Sequence, residues 1–229
     1  MEKILKKYET IFTIGLIIIY VVVNSYIMQN FGYISYQSAI VNTILSILIL
    51  ALIILAKQLK HYGITKVNNP KKFLYFIPLC IISLFNLRNG ININNTSSEI
   101  ICHIITMINV GFLEEIIFRG FLFKMMEKDN VKTAIIVSSL TFGIGHIVNL
   151  LNGADIIPTL LQICYAIVIG YMLVIVFYKS KSLIPCIIFH GVFNALSIFS
   201  SGASNIVTTI ILIAMCLGYS IYINKSVKI

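Results

Sequence analysis

Eight apolar runs, with every lysine at or beyond their ends, leave this chain almost no way to fold in water. The runs read as 11–28, 39–56, 73–87, 100–126, 133–149, 157–178, 183–200 and 206–223. A helix rises about 1.5 Å per residue and a bilayer core is about 30 Å thick, so roughly 20 apolar residues cross it. Lipid offers a backbone amide no partner, which makes each such run helical. The expected fold is all-α: a polytopic membrane protein of about eight transmembrane helices. The third and fifth runs are short for a crossing, and the fourth is long enough to tilt or project beyond the membrane. A mean hydropathy of +0.97 and a hydrophobic share of 59% exceed what soluble domains carry. Residues 1–229 read as one transmembrane domain, without repeat, soluble domain or low-complexity linker.

Charge sets the expected orientation. With a cytoplasmic N-terminus, eight crossings put 1–10, 57–72, 124–132, 179–182 and 224–229 inside. Those segments contain all 17 basic residues except Arg88 and Arg119, so the opposite orientation violates the positive-inside bias almost completely. Both termini are expected in the cytoplasm. The formal charge of +9 is thereby a topology signal, and no nucleic-acid partner is expected. The basic start, Met1 to Lys7, resembles a signal peptide, but the apolar run behind it is too long and lacks a small-residue cleavage site. It reads as a retained first helix. Cys80, Cys102, Cys164, Cys186 and Cys216 are scattered through apolar runs without CxxC spacing and read as inert small hydrophobes. A composition rich in Ile, Asn and Lys, with no long loops, fits a bacterial cytoplasmic membrane.

Within the apolar runs the strongly polar residues form a short set. The fourth run carries Glu114, Glu115 and Arg119, the fifth His146, and the seventh His190 and Asn194; His103 is a weaker member. A charge near the middle of a bilayer costs roughly 2.5–3.5 kcal/mol on insertion scales, so such residues mark function by default. Glu115 and Arg119 are four apart and share a helix face, as do Phe142 and His146, and His190 and Asn194. Counted from the nearest inner lysine at about 1.5 Å per residue, Glu114, His146, His190 and Asn194 all lie roughly 13–21 Å deep. Side chains from three helices at one depth can converge. Gly111, Gly120, Gly143, Gly145 and Gly191 border them and permit close helix approach.

A glutamate, two histidines and an asparagine suffice for amide hydrolysis without a covalent intermediate. The glutamate takes a proton from water that a neutral histidine helps to hold. The other histidine and the asparagine amide donate to the oxyanion that forms when water attacks a carbonyl. Arg119 pairs with Glu115, leaving Glu114 as the less compensated base. No His-Glu-x-x-His or Gly-x-Ser-x-Gly pattern occurs, and Asp129 and Asp155 both lie in loops, which excludes an intramembrane aspartyl dyad.

Glu114-Glu115-x-x-x-Arg119, Phe142-x-x-x-His146 and His190-x-x-x-Asn194, in that order on successive helices, resemble the three motifs of the CPBP family. This group of intramembrane endopeptidases comprises the CAAX proteases and bacteriocin-processing (Abi) proteins. The resemblance covers roughly 100–200 and marks that segment as the catalytic core. It implies an eight-helix fold around a catalytic cavity open to the cytoplasm and the membrane. It also implies Glu114 and His146 as water activators, His190 and Asn194 as the oxyanion hole, and Glu115, Arg119 and Phe142 in support. The expected partners are the lipid bilayer and a membrane-associated peptide or protein precursor, which the enzyme cleaves. Metal-free glutamate catalysis is favoured, because Asn194 is a poor zinc ligand. A zinc reading with Glu114, His146 and His190 as ligands stays open. So does a non-catalytic peptide-binding or bacteriocin-immunity role, and proton-coupled transport would use buried carboxylates too.

Overall fold

A computed structural model describes residues 7–67, 76–201 and 205–227. Among these residues all regular structure is helical, with one isolated antiparallel bridge between Ile91 and Ser200. Helix α1 is Glu9–Phe31 and α2 is Tyr36–Leu55. Helix α3, Ile77–Ser83, is prolonged by a 3-10 turn, Leu84–Leu87. Helix α4, Ser97–Glu115, widens into a π-helical stretch, Ile116–Phe123, and ends at Met126. Helix α5, Val131–Ile144, continues through a 3-10 turn, Gly145–Ile147, to Leu151. Then come α6, Ile156–Ser180, α7, Ile184–Ala195 with a 3-10 turn to Phe199, and α8, Ile206–Ser226.

The helices occupy the positions that the apolar runs mark, and six are long and apolar enough to cross a membrane. The other two, Ile77–Leu87 and Ile184–Phe199, are shorter apolar helices. Both have a proline in the first turn, Pro78 and Pro185, where the missing N–H is harmless and the helix start is fixed. The fifth run is not short, since its irregular end carries it from Val131 to Leu151 over 21 residues. Residues 73–75 of the third run, with Lys3, Lys6, Lys71, Lys72 and Lys228, lie outside the described residues.

Side-chain caps set the turns. Ser35, Thr96, Asn130 and Asn205 each accept from a backbone N–H three residues on, satisfying donors that a helix start leaves free. Large apolar side chains on α1, α2 and α8, such as Ile11, Ile18, Leu48, Leu55, Ile206 and Ile210, are exposed. An apolar surface of that extent belongs in lipid. Helix α4 is the central element: its π-helical stretch is buried at all eight residues, and the Ser138 hydroxyl of α5 donates to the Phe118 carbonyl at 2.8 Å.

Lipid is as apolar as the helices, so close packing rather than water exclusion holds such a bundle together. One of the tight approaches is between α4 and α7. A Cβ on Gly111 would lie 2.6 Å from the Gly191 backbone nitrogen and 2.8 Å from its Cα. A Cβ on Gly191 would meet nothing nearer than 3.4 Å. Gly111→Ala is therefore expected to force α7 away from α4 at a cost of about 1–3 kcal/mol, whereas Gly191→Ala is tolerated. Thermal unfolding of the two variants in detergent checks this; equal melting temperatures would contradict it.

The ends of the bundle differ in chemistry. At one end Lys128 pairs with Glu9, and the His61 Nε2 lies 3.8 Å from the same carboxylate. There too the Lys179 Nζ donates to the Val227 carbonyl at 2.9 Å, and the Leu183 N–H to the Gly63 carbonyl at 2.8 Å. All described lysines belong to the segments that meet at this end. At the other end Gln29 donates to the Leu151 carbonyl, Ser25 to Asn152, and Ser201 to the Asn89 carbonyl. Its charged groups are Glu99, Asp155 and Arg88.

Candidate active site

Helix α4 presents its charges through periodicity. His103, Met107, Val110 and Glu114 recur at spacings of four, three and four, and this stripe faces a cavity of about 260 Å³ between α1, α4, α5, α6 and α7. Glu115, one residue round, faces α7 and is fully buried with Arg119. The π-helical stretch starts immediately after Glu115; such widened turns are rare and frequent at functional sites.

His190 of α7 lies between the two carboxylates. Its Nδ1 is 2.8 Å from Glu115 Oε1 and its Nε2 is 3.3 Å from Glu114 Oε2. An ionised carboxylate only accepts, so with both glutamates ionised His190 donates from both nitrogens. Arg119 Nη1 is 3.1 Å from Glu115 Oε1, and Nη2 donates to the Gly170 carbonyl on α6 at 3.3 Å. The guanidinium also stacks over the Phe142 ring at 4.3 Å. Phe142 in turn makes edge contacts with His146 at 5.4 Å and His190 at 5.6 Å between ring centres. One aromatic ring thus separates the buried ion pair from the cavity.

His146 sits in the 3-10 turn at the end of α5 and lines the cavity. Its Nδ1 is 3.1 Å from the Phe142 carbonyl, which can only accept. In the neutral ring this leaves Nε2 as the lone-pair nitrogen, the form that can hold a water by its proton. Asn194 also lines the cavity, and its side-chain amide makes no hydrogen bond among the described residues. Its backbone carbonyl accepts from His103 Nε2 at 3.4 Å, and the same nitrogen is 3.2 Å from Ser197 Oγ.

The structure therefore gathers every residue that the three motifs single out. Glu114, His146 and Asn194 share the cavity wall; His190, Glu115 and Arg119 stand behind Glu114; Phe142 joins the two groups. His190 is more enclosed than an open oxyanion donor would be, because both of its nitrogens face carboxylates. His103 also lines the cavity, and its spacing of 11 residues from Glu114, about three helical turns, was the available signal. Tyr20 gave no signal. Its hydroxyl donates to Glu114 Oε1 at 2.7 Å, across 94 residues of sequence. In the turn before α2, burial and then the Glu114 carboxylate push the Tyr33 phenol up to about 12, so it stays a neutral donor at the cavity rim.

A hydrogen bond to a charged group contributes about 1.5–3 kcal/mol. Tyr20→Phe should therefore reduce kcat/KM by about tenfold or more, with unchanged accumulation in the membrane. Wild-type kinetics in this variant would remove Tyr20 from the site.

Residues 96–196 match the model of the Rce1-like family, type II CAAX prenyl endopeptidases. Over these residues the chain is similar to that family. The matched segment runs from the cap of α4 into the last turn of α7 and so holds all three motifs. The Rce1-like match supports a protease of the CAAX type in a membrane. No curated protein and no solved structure matches the chain. Among the described residues no three His, Cys, Asp or Glu side chains gather to hold a metal ion, and His190 already faces a carboxylate at each nitrogen.

Proposed function

We propose that this protein is an intramembrane endopeptidase that hydrolyses a peptide bond in a membrane-associated peptide or protein precursor. Glu114 is the general base. Supporting this reading is one observation above the others: Glu114 is held by Tyr20 on one oxygen and His190 near the other, at the wall of a cavity it shares with His146 and Asn194.

A water between Glu114 and His146 Nε2 gives its proton to the Glu114 carboxylate, and its oxygen attacks the scissile carbonyl carbon. The carbonyl oxygen becomes an oxyanion and takes donation from the free Asn194 amide. Once Glu114 is neutral it is a weaker acceptor, so the His190 Nε2–H one turn before Asn194 is released to the same oxyanion. Collapse of the tetrahedral intermediate breaks the C–N bond, and Glu114 returns its proton to the departing amine. Glu115 and Arg119 do not touch substrate; they fix the His190 ring and the turn that carries Glu114. No metal is needed in this scheme.

Comparative peptidomics of membranes carrying the wild type or Glu114→Ala tests the reading. A cleavage product present in the first and missing from the second is the expected result, and His146→Ala should give the same loss. Identical peptide profiles in strains that accumulate the protein equally would overturn it.

A further inference from the structure

Arg119 has Glu115 at 3.1 Å, but Arg88 has no carboxylate against it among the described residues. Arg88 follows the 3-10 turn that prolongs α3. Its Nη1 donates to the Phe85 carbonyl at 3.2 Å, and the guanidinium stacks over the Phe85 ring at 4.6 Å. Those two contacts fix the plane of the group and leave one edge of it, Nε and Nη2. Both atoms are buried without a hydrogen-bond partner among the described residues. Nor is Glu99 free to serve them, since its carboxylate accepts from the Thr96 N–H and hydroxyl at 2.8 Å each.

Arg88 lines a pocket of about 20 Å³ with Tyr165 of α6 and with Thr208 and Thr209 of α8, and no Asp or Glu lines it. Thr209 is 4% exposed, and its hydroxyl is buried with no hydrogen-bond partner among the described residues. The hydroxyls of Thr43, Thr106 and Thr159 donate to the carbonyl four residues back, the usual resort of a helical threonine. Thr209 does not. Both threonines stand in the opening turns of the 21-residue α8, where the helix dipole favours negative charge.

We infer that this pocket binds one small inorganic anion of single charge, the size of chloride. A buried cation without a partner is strongly disfavoured, and an anion supplies the missing charge. Two guanidinium N–H groups and the Thr209 O–H are donors with nothing to accept from them, and an anion accepts from all three. The volume holds about one or two water-sized bodies, which leaves out a phosphate group or a peptide. The bound ion ties the turn after α3 to the start of α8. The pocket shares Asn86, Tyr165 and Phe193 with the wall of the catalytic cavity, and Asn86 donates to the Phe193 carbonyl at 2.6 Å. The site is independent of the endopeptidase reading, because binding is measured without cleavage.

Thermal unfolding of the full chain in an uncharged detergent tests this. Sodium chloride replaces sodium methanesulfonate, whose anion is too bulky for the pocket, at constant ionic strength. The expected result is a saturable rise in melting temperature, about 3–6 °C at ten times the half-saturating chloride concentration. Arg88→Gln should abolish the rise. Thr209→Val keeps the shape of the side chain and loses the donor, so it should raise the half-saturating concentration about tenfold. Equal melting temperatures of the wild type in the two salts overturn the inference, and so does a chloride response that Arg88→Gln leaves intact. Should Arg88→Gln fail to accumulate, Thr209→Val decides: a half-saturating concentration equal to that of the wild type overturns the site.

Discussion

Replacing Glu114 by glutamine is expected to lower peptide-bond cleavage by about 100-fold or more while the protein accumulates normally. General-base catalysis contributes about 10²–10⁴ in rate, and an amide cannot take a proton from water. The substitution is nearly isosteric, and the Gln carbonyl oxygen can still accept from the Tyr20 hydroxyl, which lies 2.7 Å from Glu114 Oε1. Packing is therefore retained and the loss falls on kcat. The measurement is turnover of the peptide identified by peptidomics, with purified protein in liposomes. A variant retaining more than about a tenth of wild-type kcat would show that the base is elsewhere.

Arg119→Met should be the most destabilising single change at the site, by about 3–5 kcal/mol. Glu115 and Arg119 are both fully buried, and removing the guanidinium leaves a carboxylate in low dielectric with only His190 against it. The bond to the Gly170 carbonyl and the stacking on Phe142 go as well. The pair is not perfectly satisfied even in the native protein: Glu115 Oε2 and Arg119 Nε are buried without a hydrogen-bond partner among the described residues. Its use is therefore orientation of His190 more than net stability, since buried ion pairs commonly gain little over apolar residues of similar volume. Glu115→Gln combined with Arg119→Met should accordingly recover part of the stability but not the activity. Thermal unfolding in detergent, beside the cleavage assay, reads both. A single Arg119→Met variant that melts with the wild type would contradict this account.

These two effects were legible to different degrees before the fold was known. That Glu115 and Arg119 pair follows from four-residue spacing on a helix, a local rule. That Glu114, His146 and Asn194 share a depth follows from counting residues inward from lysines, which works because a helix has a fixed rise. Tyr20 is different. It is one tyrosine in an apolar helix, and only the crossing of α1 beside α4 brings it to Glu114. The position of His190 between two carboxylates depends on Gly111 and Gly191 letting α4 and α7 touch, an approach that glycine content permits but does not specify. His103, a weaker member of the polar set in the sequence, continues the stripe that ends in Glu114.

The amino-acid order alone determined that the chain is helical and apolar enough for a membrane, where its described helices fall, which end of the bundle carries its described lysines, and which strongly polar residues lie within its apolar runs. Each is a consequence of hydropathy, helical period or charge, properties that act over a few residues. The tertiary structure decided which oxygen of Glu114 meets which partner and how deeply His190 is enclosed. Those depend on the mutual rotation and tilt of helices, set by packing between residues as distant as 20 and 114, and no local pattern encodes that packing.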